Sequence, residues 1–213
     1  MICPLCQDEK SHIFEKIGEK TYYQCQYCSL VFLSRSELIS PVEEKERYEN
    51  HHNSEEDSHY IKYLTTTVEK ISMIVPKGAS GLDFGCGKSL LMEKLLNQQE
   101  VFVSSYDLFF HRNEEVFEKK YDFILLSEVI EHLRAPNKEL QRLTGLLKAN
   151  GYLFIKTKLL TSEIGDFKNW YYRRDKTHIQ FFREETFLKM SELFHLQKIR
   201  DLKDDLFLFR NNG

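Results

Sequence analysis

The sequence contains no long apolar run and no large excess of charge of one sign. None of its hydrophobic stretches approaches the roughly 18 residues that a membrane-spanning helix needs. The Met-Ile-Cys start also lacks the basic and apolar regions of a secretion signal. A formal net charge of -3 gives no overall attraction to nucleic acid or to an anionic membrane. These absences predict a soluble, cytoplasmic protein without a membrane span, and composition alone does not name its partner.

The sequence also lacks the pattern of cysteines that a disulfide framework would need. Four of its five cysteines form two Cys-x-x-Cys pairs, Cys3 with Cys6 and Cys25 with Cys28. Four thiolates at this spacing are typical of a closed tetrahedral zinc site. Because a segment of about forty residues buries little apolar surface, the metal would supply much of its stability. We therefore predict a small zinc ribbon with a structural metal over residues 1–40, the alternatives being a redox-active pair or a catalytic thiol.

Residues 41–78 are predicted to connect the ribbon to the main domain. Residues 41–57 are polar and highly charged, which is typical of a linker or a flap. Ser54 and Asp57 then resemble a helix N-terminal cap, and apolar residues recur at helical spacing over residues 61–75. The pattern predicts a charged linker or lid followed by one amphipathic helix.

From Gly81 onward, short apolar runs alternate with helical patterns. This alternation is the signature of a parallel sheet with crossover helices, and it predicts one α/β domain over residues 79–213. The strands are expected at residues 81–84, 101–106, 122–127, 152–157, 196–200 and 206–209.

Residues 81–89 read GLDFGCGKS and end like a phosphate-binding loop. The P-loop needs a glycine at position 82, and a dinucleotide loop needs one at position 90, but both positions are leucine. A strand followed by Gly85, Gly87 and a helix start still brings the backbone close to a ligand. The loop therefore favours a ligand without pyrophosphate.

The second predicted strand ends in Tyr106-Asp107. A carboxylate at this place in an α/β sheet can accept both hydroxyls of a ribose. The glycine loop and Asp107, in this order and spacing, together indicate a nucleoside ligand.

Four stretches between residues 82 and 157 form a recognisable set: LDFGCGKS (82–89), SYD (105–107), YDFILLSEVIEHL (121–133) and LLKANGYLFIKT (146–157). The set resembles class I S-adenosylmethionine-dependent methyltransferases. SEVIEHL and the later DKTHIQFF are most similar to the subgroup that includes ubiquinone-pathway O-methyltransferases, and a preceding zinc ribbon occurs in some relatives. The resemblance implies a Rossmann-like, mostly parallel sheet with an antiparallel last strand, and S-adenosylmethionine as cofactor.

The resemblance also assigns residues to the cofactor. It implies that Gly85 and Gly87 contact the methionine part, so that any side chain there should obstruct the cofactor, and that Asp107 binds the ribose. The full set of expected cofactor residues is Asp83, Gly85, Cys86, Gly87, Asp107, Ser127 and Glu128. Relatives with a similar stretch before the core suggest a lid with Tyr48, His52 and Tyr60.

One departure from the family pattern concerns the third strand. Only residues 108–120 separate Asp107 from Tyr121, so the usual third strand and its helix must be shortened or missing. The acidic residue often used near adenine has no clear counterpart in this segment.

Methyl transfer from a sulfonium is a direct displacement, so the protein mainly has to align the reacting atoms in a dry pocket. A base helps only where the nucleophile loses a proton, and His178 and His132 are the candidates. His178 follows Asp175 in WYYRRDKTHIQFF, whose Trp170 and Arg173 we expect in the substrate wall. The alternative is that His178 and Asp175 only fix a loop.

Glu128, Glu131 and His132 form a second candidate group. In some of the resembling quinone enzymes this Glu-x-x-Glu-His run is associated with a divalent cation, which hard oxygen ligands would suit. Solvated charges at a helix start are the alternative interpretation.

Three functions remain open at this point. The first is methyl transfer to the oxygen, nitrogen or carbon of a small molecule, and the second is RNA methylation with the ribbon binding the RNA. The net charge of -3 and the lack of an Asn/Asp-Pro-Pro-aromatic motif disfavour nucleic acid without excluding it. The third is a cofactor-binding or partner-docking module without catalysis, against which the glycine loop and Asp107 argue.

Overall fold

The amino-terminal part of the chain forms an antiparallel sheet. The computed structural model of the protein describes residues 1–50, 56–162 and 166–213. In the first forty residues, strands β1 (Ser11–Ile17), β2 (Lys20–Cys25) and β3 (Val31–Leu33) pair in order. These three strands occupy the segment in which the sequence predicts the zinc ribbon.

The charged linker is largely helical. Helix α1 (Pro41–Glu49) starts with a capping box, in which the Ser40 hydroxyl accepts from the Glu43 amide and the Glu43 carboxylate accepts from the Ser40 amide. Pro41 stands at the first helical position, where its fixed φ suits the helix. These local signals outweigh the high charge that favoured a linker.

Helix α2 (Ser58–Ser72) is the predicted amphipathic helix. Its cap is Asp57, whose side chain accepts from the amides of His59 and Tyr60, while Ser54 lies outside the described residues. None of the described helices has the length and apolar character needed to span a bilayer.

The remaining elements follow in chain order. They are β4 (Ser80–Phe84), α3 (Leu91–Gln98), β5 (Phe102–Tyr106), β6 (Tyr121–Ser127), α4 (Pro136–Leu146), β7 (Leu147–Lys156), α5 (Tyr171–Arg174), β8 (Gln180–Phe181), α6 (Glu184–Leu193), β9 (Leu196–Asp201) and β10 (Leu206–Asn211).

Six of these strands form the central sheet, in the order β5-β4-β6-β7-β10-β9. The first four are parallel, and β10 runs antiparallel to both of its neighbours. Between β5 and β6 the chain forms a short 3-10 helix, Glu114–Glu118, instead of a further strand of this sheet. The predicted α/β sheet, with its shortened third-strand region and antiparallel last strand, is confirmed.

The ribbon is joined to the main domain through a shared sheet. The short strand β8 pairs with β3, so that the four-stranded order is β1-β2-β3-β8. Leu30 and Phe32 of the ribbon also pack in the same apolar cluster as Leu140 and Phe187. The ribbon and the main domain therefore share both a sheet and an apolar core. The domain boundary expected after residue 40 stays a prediction.

The largest apolar cluster lies on one face of the central sheet and includes Phe187 of α6, whose side chain is 0% exposed. Its ring packs edge-on against Phe207 and Phe209 of β10. A second cluster, which includes Leu64 of α2 and Leu96 of α3, covers the opposite face.

We expect Phe187→Ala to lower the free energy of unfolding by about 3–5 kcal/mol, because it removes a fully buried ring and leaves a cavity. The matched control is Leu188→Ala on the next residue of the same helix, which is 49% exposed and should change stability by less than about 1 kcal/mol. Urea unfolding of both variants measures the difference, and equal losses would contradict this account of the core.

Candidate functional site

A large cavity lies over the carboxyl ends of β4, β5 and β6. Its volume is about 950 Å³, near the upper end of the roughly 300–1,000 Å³ that ligand pockets span. Helices α1 and α2 and the segment around α5 complete its walls. The carboxyl edge of an open parallel sheet is where such folds bind ligands.

The glycine loop forms one wall of the cavity. Gly85 and Gly87 have φ values of +83° and +68°, which favour glycine. A Cβ atom at Gly85 would stand 2.5 Å from Cγ2 of Val129, whereas one at Gly87 would meet nothing within 4 Å. Gly85 is thus required by packing within the protein itself, and Gly87 is the position that keeps the cavity open.

Asp107 ties the loop after β5 to the glycine loop. Its Oδ2 accepts from the Gly87 amide at 3.0 Å, and its Oδ1 accepts from the amides of Phe109 and Phe110 at 2.8 and 3.1 Å. Phe109 and Phe110 also line the cavity. The ribose role expected for Asp107 stays a prediction, and the structure adds a role in holding two loops together.

Asp83 is buried at the end of β4 and borders the same cavity. Burial raises the pKa of Asp83 to about 7, and the carboxylates of Glu93 and Asp107 add to the shift. The protein therefore keeps a proton on this group up to near-neutral pH.

A cluster of acids and hydroxyls lies beyond β6. The Tyr172 hydroxyl contacts Glu131 Oε1 at 2.5 Å, Thr157 Oγ1 at 3.0 Å and Glu128 Oε2 at 3.2 Å, while Tyr63 donates to Glu128 Oε1 at 3.0 Å. Burial raises the pKa of Glu128 to about 7, and the neighbouring Glu131 adds to this effect. Burial likewise raises the pKa of Glu131, which is 0% exposed, to about 7.

The two candidate histidines lie side by side. Their ring centroids are 4.6 Å apart, although the residues are 46 positions apart in the chain (178 − 132). His132 Nδ1 is 2.9 Å from the Thr177 carbonyl oxygen, and His178 Nδ1 is 2.6 Å from that of Tyr172. Because a carbonyl oxygen only accepts, each Nδ1 carries the hydrogen, and a neutral ring then has its lone pair at Nε2.

The histidines also converge with one carboxylate. Ligand atoms of Glu131, His132 and His178 all lie within 4.8 Å of one another. Glu128 is not in this group, and its two oxygens accept from Tyr63 and Tyr172. The cation set expected from the sequence therefore changes, with His178 in place of Glu128.

Asp175 lies beside His178, whose amide donates to the Asp175 carbonyl at 3.2 Å, and the contacts of its side chain suit a structural role. Its Oδ1 accepts from the amide and hydroxyl of Thr177, and its Oδ2 accepts from Arg47 of α1 at 2.7 Å. Partial burial alone would raise the pKa of Asp175, but the bonds from Thr177 and Arg47 outweigh it and hold the pKa below its usual range. Asp175 is therefore a poor proton acceptor, and it fixes the loop that carries His178.

The expected lid and wall residues divide into two groups. Tyr48 and Tyr60 line the cavity, and the Tyr48 ring packs edge-on against His132 at 5.5 Å. Trp170 and Arg173 do not line it, because Trp170 packs against Phe167 and Phe181 and Arg173 donates to the Lys168 carbonyl. His52 lies outside the described residues.

Of the remaining cofactor residues expected from the sequence, Cys86, Ser127 and Glu128 all line the cavity. Sequence reasoning missed the cavity residues Tyr63, Tyr171 and Tyr172. Tyr63 lies one turn from Tyr60 on α2, and this spacing could have indicated it. Tyr171 and Tyr172 adjoin Trp170, so the sequence marked the correct segment but not the side that faces the cavity.

The four cysteines of the ribbon form a separate cluster. The sulfur of Cys3 lies 3.6 Å from that of Cys28, and the sulfur of Cys6 lies 3.5 Å from that of Cys25. All four lie within 4.8 Å of one another. Zinc–sulfur bonds of about 2.3 Å in a tetrahedron place the sulfurs about 3.8 Å apart, so the cluster is compatible with a zinc ion.

The profile of a family described as "Methyltransferase domain" matches residues 56–200, which is well over half of the chain. The chain belongs to this methyltransferase family. This match confirms the class of enzyme expected from the sequence, an S-adenosylmethionine-dependent methyltransferase. A comparison with curated proteins found no match.

Solved structures show the same fold. The 1,6-didemethyltoxoflavin-N1-methyltransferase of Burkholderia thailandensis, solved with S-adenosylhomocysteine, has a TM-score of 0.55 at 14% identity, covering 96% of this chain and 100% of its own. An O-methyltransferase family protein from the same organism has a TM-score of 0.55 at 10% identity, over 83% and 64%. Streptomyces venezuelae DesVI has a TM-score of 0.54 at 11% identity, over 71% and 93%.

The pKa of Asp83 predicts a pH-dependent stability. Because the folded pKa of about 7 lies above the roughly 4 of an unfolded Asp, its contribution is complete at low pH and is lost as the pH rises through 7. Between pH 4.5 and 8 the unfolding free energy of Asp83→Asn should therefore rise relative to wild type by on the order of 2–4 kcal/mol. Urea unfolding across this range measures it, and parallel curves for the two proteins would contradict it.

Proposed function

We propose that the protein transfers the methyl group of S-adenosylmethionine to a small-molecule acceptor by direct displacement. The observation that carries this proposal is one continuous cavity that reaches from the glycine loop and Asp107 to His132 and His178. At one end, the backbone of the glycine loop and the Asp107 carboxylate would contact the nucleoside of the cofactor. At the other end, aromatic side chains and the two imidazoles would contact the acceptor.

The residues at the glycine loop fit the cofactor. A Cβ at Gly87 would project into open space, so glycine leaves room there for a ligand in contact with the backbone. Asp107 would accept from the ribose hydroxyls, while Asp83, Cys86, Ser127 and Glu128 would border the methionine part. Leu108, Phe109 and Phe110 offer an apolar surface for adenine in place of the missing third strand. When bound, the cofactor supplies an electrophilic methyl group on its sulfonium.

The acceptor end is formed by Tyr48, His132, Tyr171 and His178. If the acceptor is an alcohol, His178 takes its proton at Nε2 as the new bond to carbon forms, with His132 as the alternative base. A protonated amine would give its proton to the same base before its nitrogen attacks, and in both cases the sulfur leaves with the electron pair of the broken bond to the methyl carbon. The Tyr172 carbonyl, by accepting from His178 Nδ1, holds the ring in the tautomer that this step needs. The aromatic walls exclude water and leave alignment as the main contribution to rate.

Three observations support a small acceptor rather than RNA. The cavity has a volume of about 950 Å³, which suits a cofactor together with a small molecule. The net charge is negative. A structural neighbour of the same fold acts on a small heterocycle, 1,6-didemethyltoxoflavin. The proposal also includes three expectations from the sequence. The protein would belong to the ubiquinone-pathway O-methyltransferase subgroup and would be cytoplasmic. Its chain would divide into a ribbon (residues 1–40), a lid with an entry helix (41–78) and the methyltransferase domain (79–213).

Two metal sites are also part of the proposal. A structural zinc ion would be held by Cys3, Cys6, Cys25 and Cys28, whose sulfurs already have tetrahedral spacing. As an alternative to the base role, a divalent cation would be held by Glu131, His132 and His178, a mixed nitrogen and oxygen set that suits manganese or zinc. It would occupy the Nε2 lone pair that His178 needs to accept a proton, so the two roles exclude each other. Bound there, it would polarise an acceptor oxygen at the cavity wall.

The division of roles between Asp107 and His178 can be tested. Asp107→Asn should weaken S-adenosylmethionine binding by about tenfold or more, because it removes charge and disturbs the Gly87 contact. His178→Gln should leave cofactor affinity within about twofold and lower turnover of an identified acceptor by about 100-fold.

Isothermal titration with S-adenosylmethionine and S-adenosylhomocysteine measures binding. The matched control is Asp122→Asn, since Asp122 lies at the amino end of β6 and bonds Ser80 and Lys148 away from the cavity. Failure of the wild type to bind either compound would reject the enzyme proposal, and equal loss of binding in Asp107→Asn and His178→Gln would reject the division of roles.

The cation site predicts different effects for two neighbouring variants. Manganese titration followed by electron paramagnetic resonance should give tight binding in wild type and in Glu128→Gln, and at least tenfold weaker binding in His178→Gln. If only Glu128→Gln weakened manganese binding, the ligands would be Glu128, Glu131 and His132, as expected from the sequence. Equally weak manganese binding in all three proteins would reject the cation site.

A further inference from the structure

Strand β3 of the ribbon pairs with the segment that directly follows His178. The Leu33 amide donates to the Ile179 carbonyl at 2.9 Å, and β3 and β8 then pair Phe32 with Gln180 and Val31 with Phe181. His178 is thus the last residue before a segment that is bound, residue by residue, to the ribbon.

The other end of β3 leads directly to the cysteine cluster. Cys25 is the last residue of β2, Cys28 follows in the turn, and β3 begins at Val31. The Cys25 amide donates to the Leu30 carbonyl, and the Ser29 amide donates to the Cys25 carbonyl. A metal ion bound to Cys25 and Cys28 therefore fixes the turn from which β3 emerges.

Further contacts connect the ribbon to the same part of the site. The Tyr22 ring of β2 packs edge-on against Phe167 and Phe181, with centroids 5.0 and 6.0 Å away. Across the loop, the Ile179 amide donates to the Glu131 carbonyl at 3.0 Å. The His178 segment is thus held between β3 on one side and the turn after β6 on the other.

We propose that the four-cysteine metal site positions His178, through β3 and its pairing with residues 179–181, and so sets the geometry of the acceptor end of the cavity. The proposal rests on the proposed function only in taking the acceptor to bind beside His178. The glycine loop and Asp107 follow β4 and β5 of the central sheet, and the ribbon strands β1, β2 and β3 pair with no strand of that sheet. Metal loss is therefore expected to disturb the acceptor end and to leave cofactor binding in place.

This arrangement assigns the ribbon a role different from binding RNA or a partner protein. This role needs no exposed surface, because the β3 residues that make the contact, Val31, Phe32 and Leu33, are buried. The ribbon acts on the reaction by holding the segment that presents a side chain of the main domain.

The first test uses Cys28→Ser and reversible removal of zinc from the full-length wild type with a chelator. Zinc content is measured together with hydrogen exchange and the nitrogen resonances of His178, which are assigned with His178→Gln. We expect metal loss to speed amide exchange over residues 177–181 by at least about tenfold and to remove the signature of the Nδ1 bond to Tyr172. Exchange in β4 and β6 and affinity for S-adenosylhomocysteine should stay within about twofold, and zinc should restore the wild-type behaviour.

The matched control for Cys28→Ser is Gln26→Ala, an exposed residue of the same turn whose side chain is outside the metal cluster. It should retain zinc and wild-type exchange. A second variant, Leu33→Pro, keeps the four cysteines but removes the amide that donates to Ile179. It should bind zinc and still show fast exchange over residues 177–181, with turnover reduced more than cofactor affinity.

Two results would overturn the proposal. One is unchanged protection of residues 177–181 after zinc is lost or in Leu33→Pro, which would make the ribbon an independent module. The other is uniform loss of protection in β4, β6 and residues 177–181 on chelation, which would give the metal a role in overall folding only. Both results can be obtained whether or not the proposed function is correct. The proposed function is rejected by a different result, the failure of the wild-type protein to bind the cofactor.

Discussion

Parallel pairing of β4 with both β5 and β6 is the constraint on which the site depends. Because the three strands run in one direction, their carboxyl ends meet at one edge of the sheet, and the segments that follow them have to share that space. Gly85 is pressed against Val129, and Asp107 bonds Gly87. The glycine loop therefore owes its shape to its neighbours as much as to its own residues.

Much of this architecture was accessible from the sequence, because it rests on local patterns. Alternating apolar runs located all six strands of the central sheet to within a few residues, with β7 starting earlier than expected. The short segment after Asp107 correctly indicated that the third-strand region is reduced. Helix α1 was missed because its high charge was given more weight than the Ser40 capping box.

The site was less predictable, because its contacts join distant segments. Nothing local brings His132 against His178 or places Glu131, rather than Glu128, beside them. The pairing of β3 with β8 joins residues that are about 150 positions apart, and a two-residue strand carries almost no sequence signal. Asp175 is close to His178 in the sequence, which suggested a catalytic role, but its bonds to Arg47 and Thr177 arise only in the folded chain.

The backbone at Glu128 has a consequence of its own. Its φ of +54° lies in the left-handed region, where a side chain costs about 1–2 kcal/mol relative to glycine. A glycine would relieve that strain, yet it would remove the carboxylate that meets Tyr63 and Tyr172 at the cavity wall. The strained backbone at Glu128 therefore persists together with the two tyrosine contacts, and exchanging this one residue would alter both the local backbone and the cavity wall.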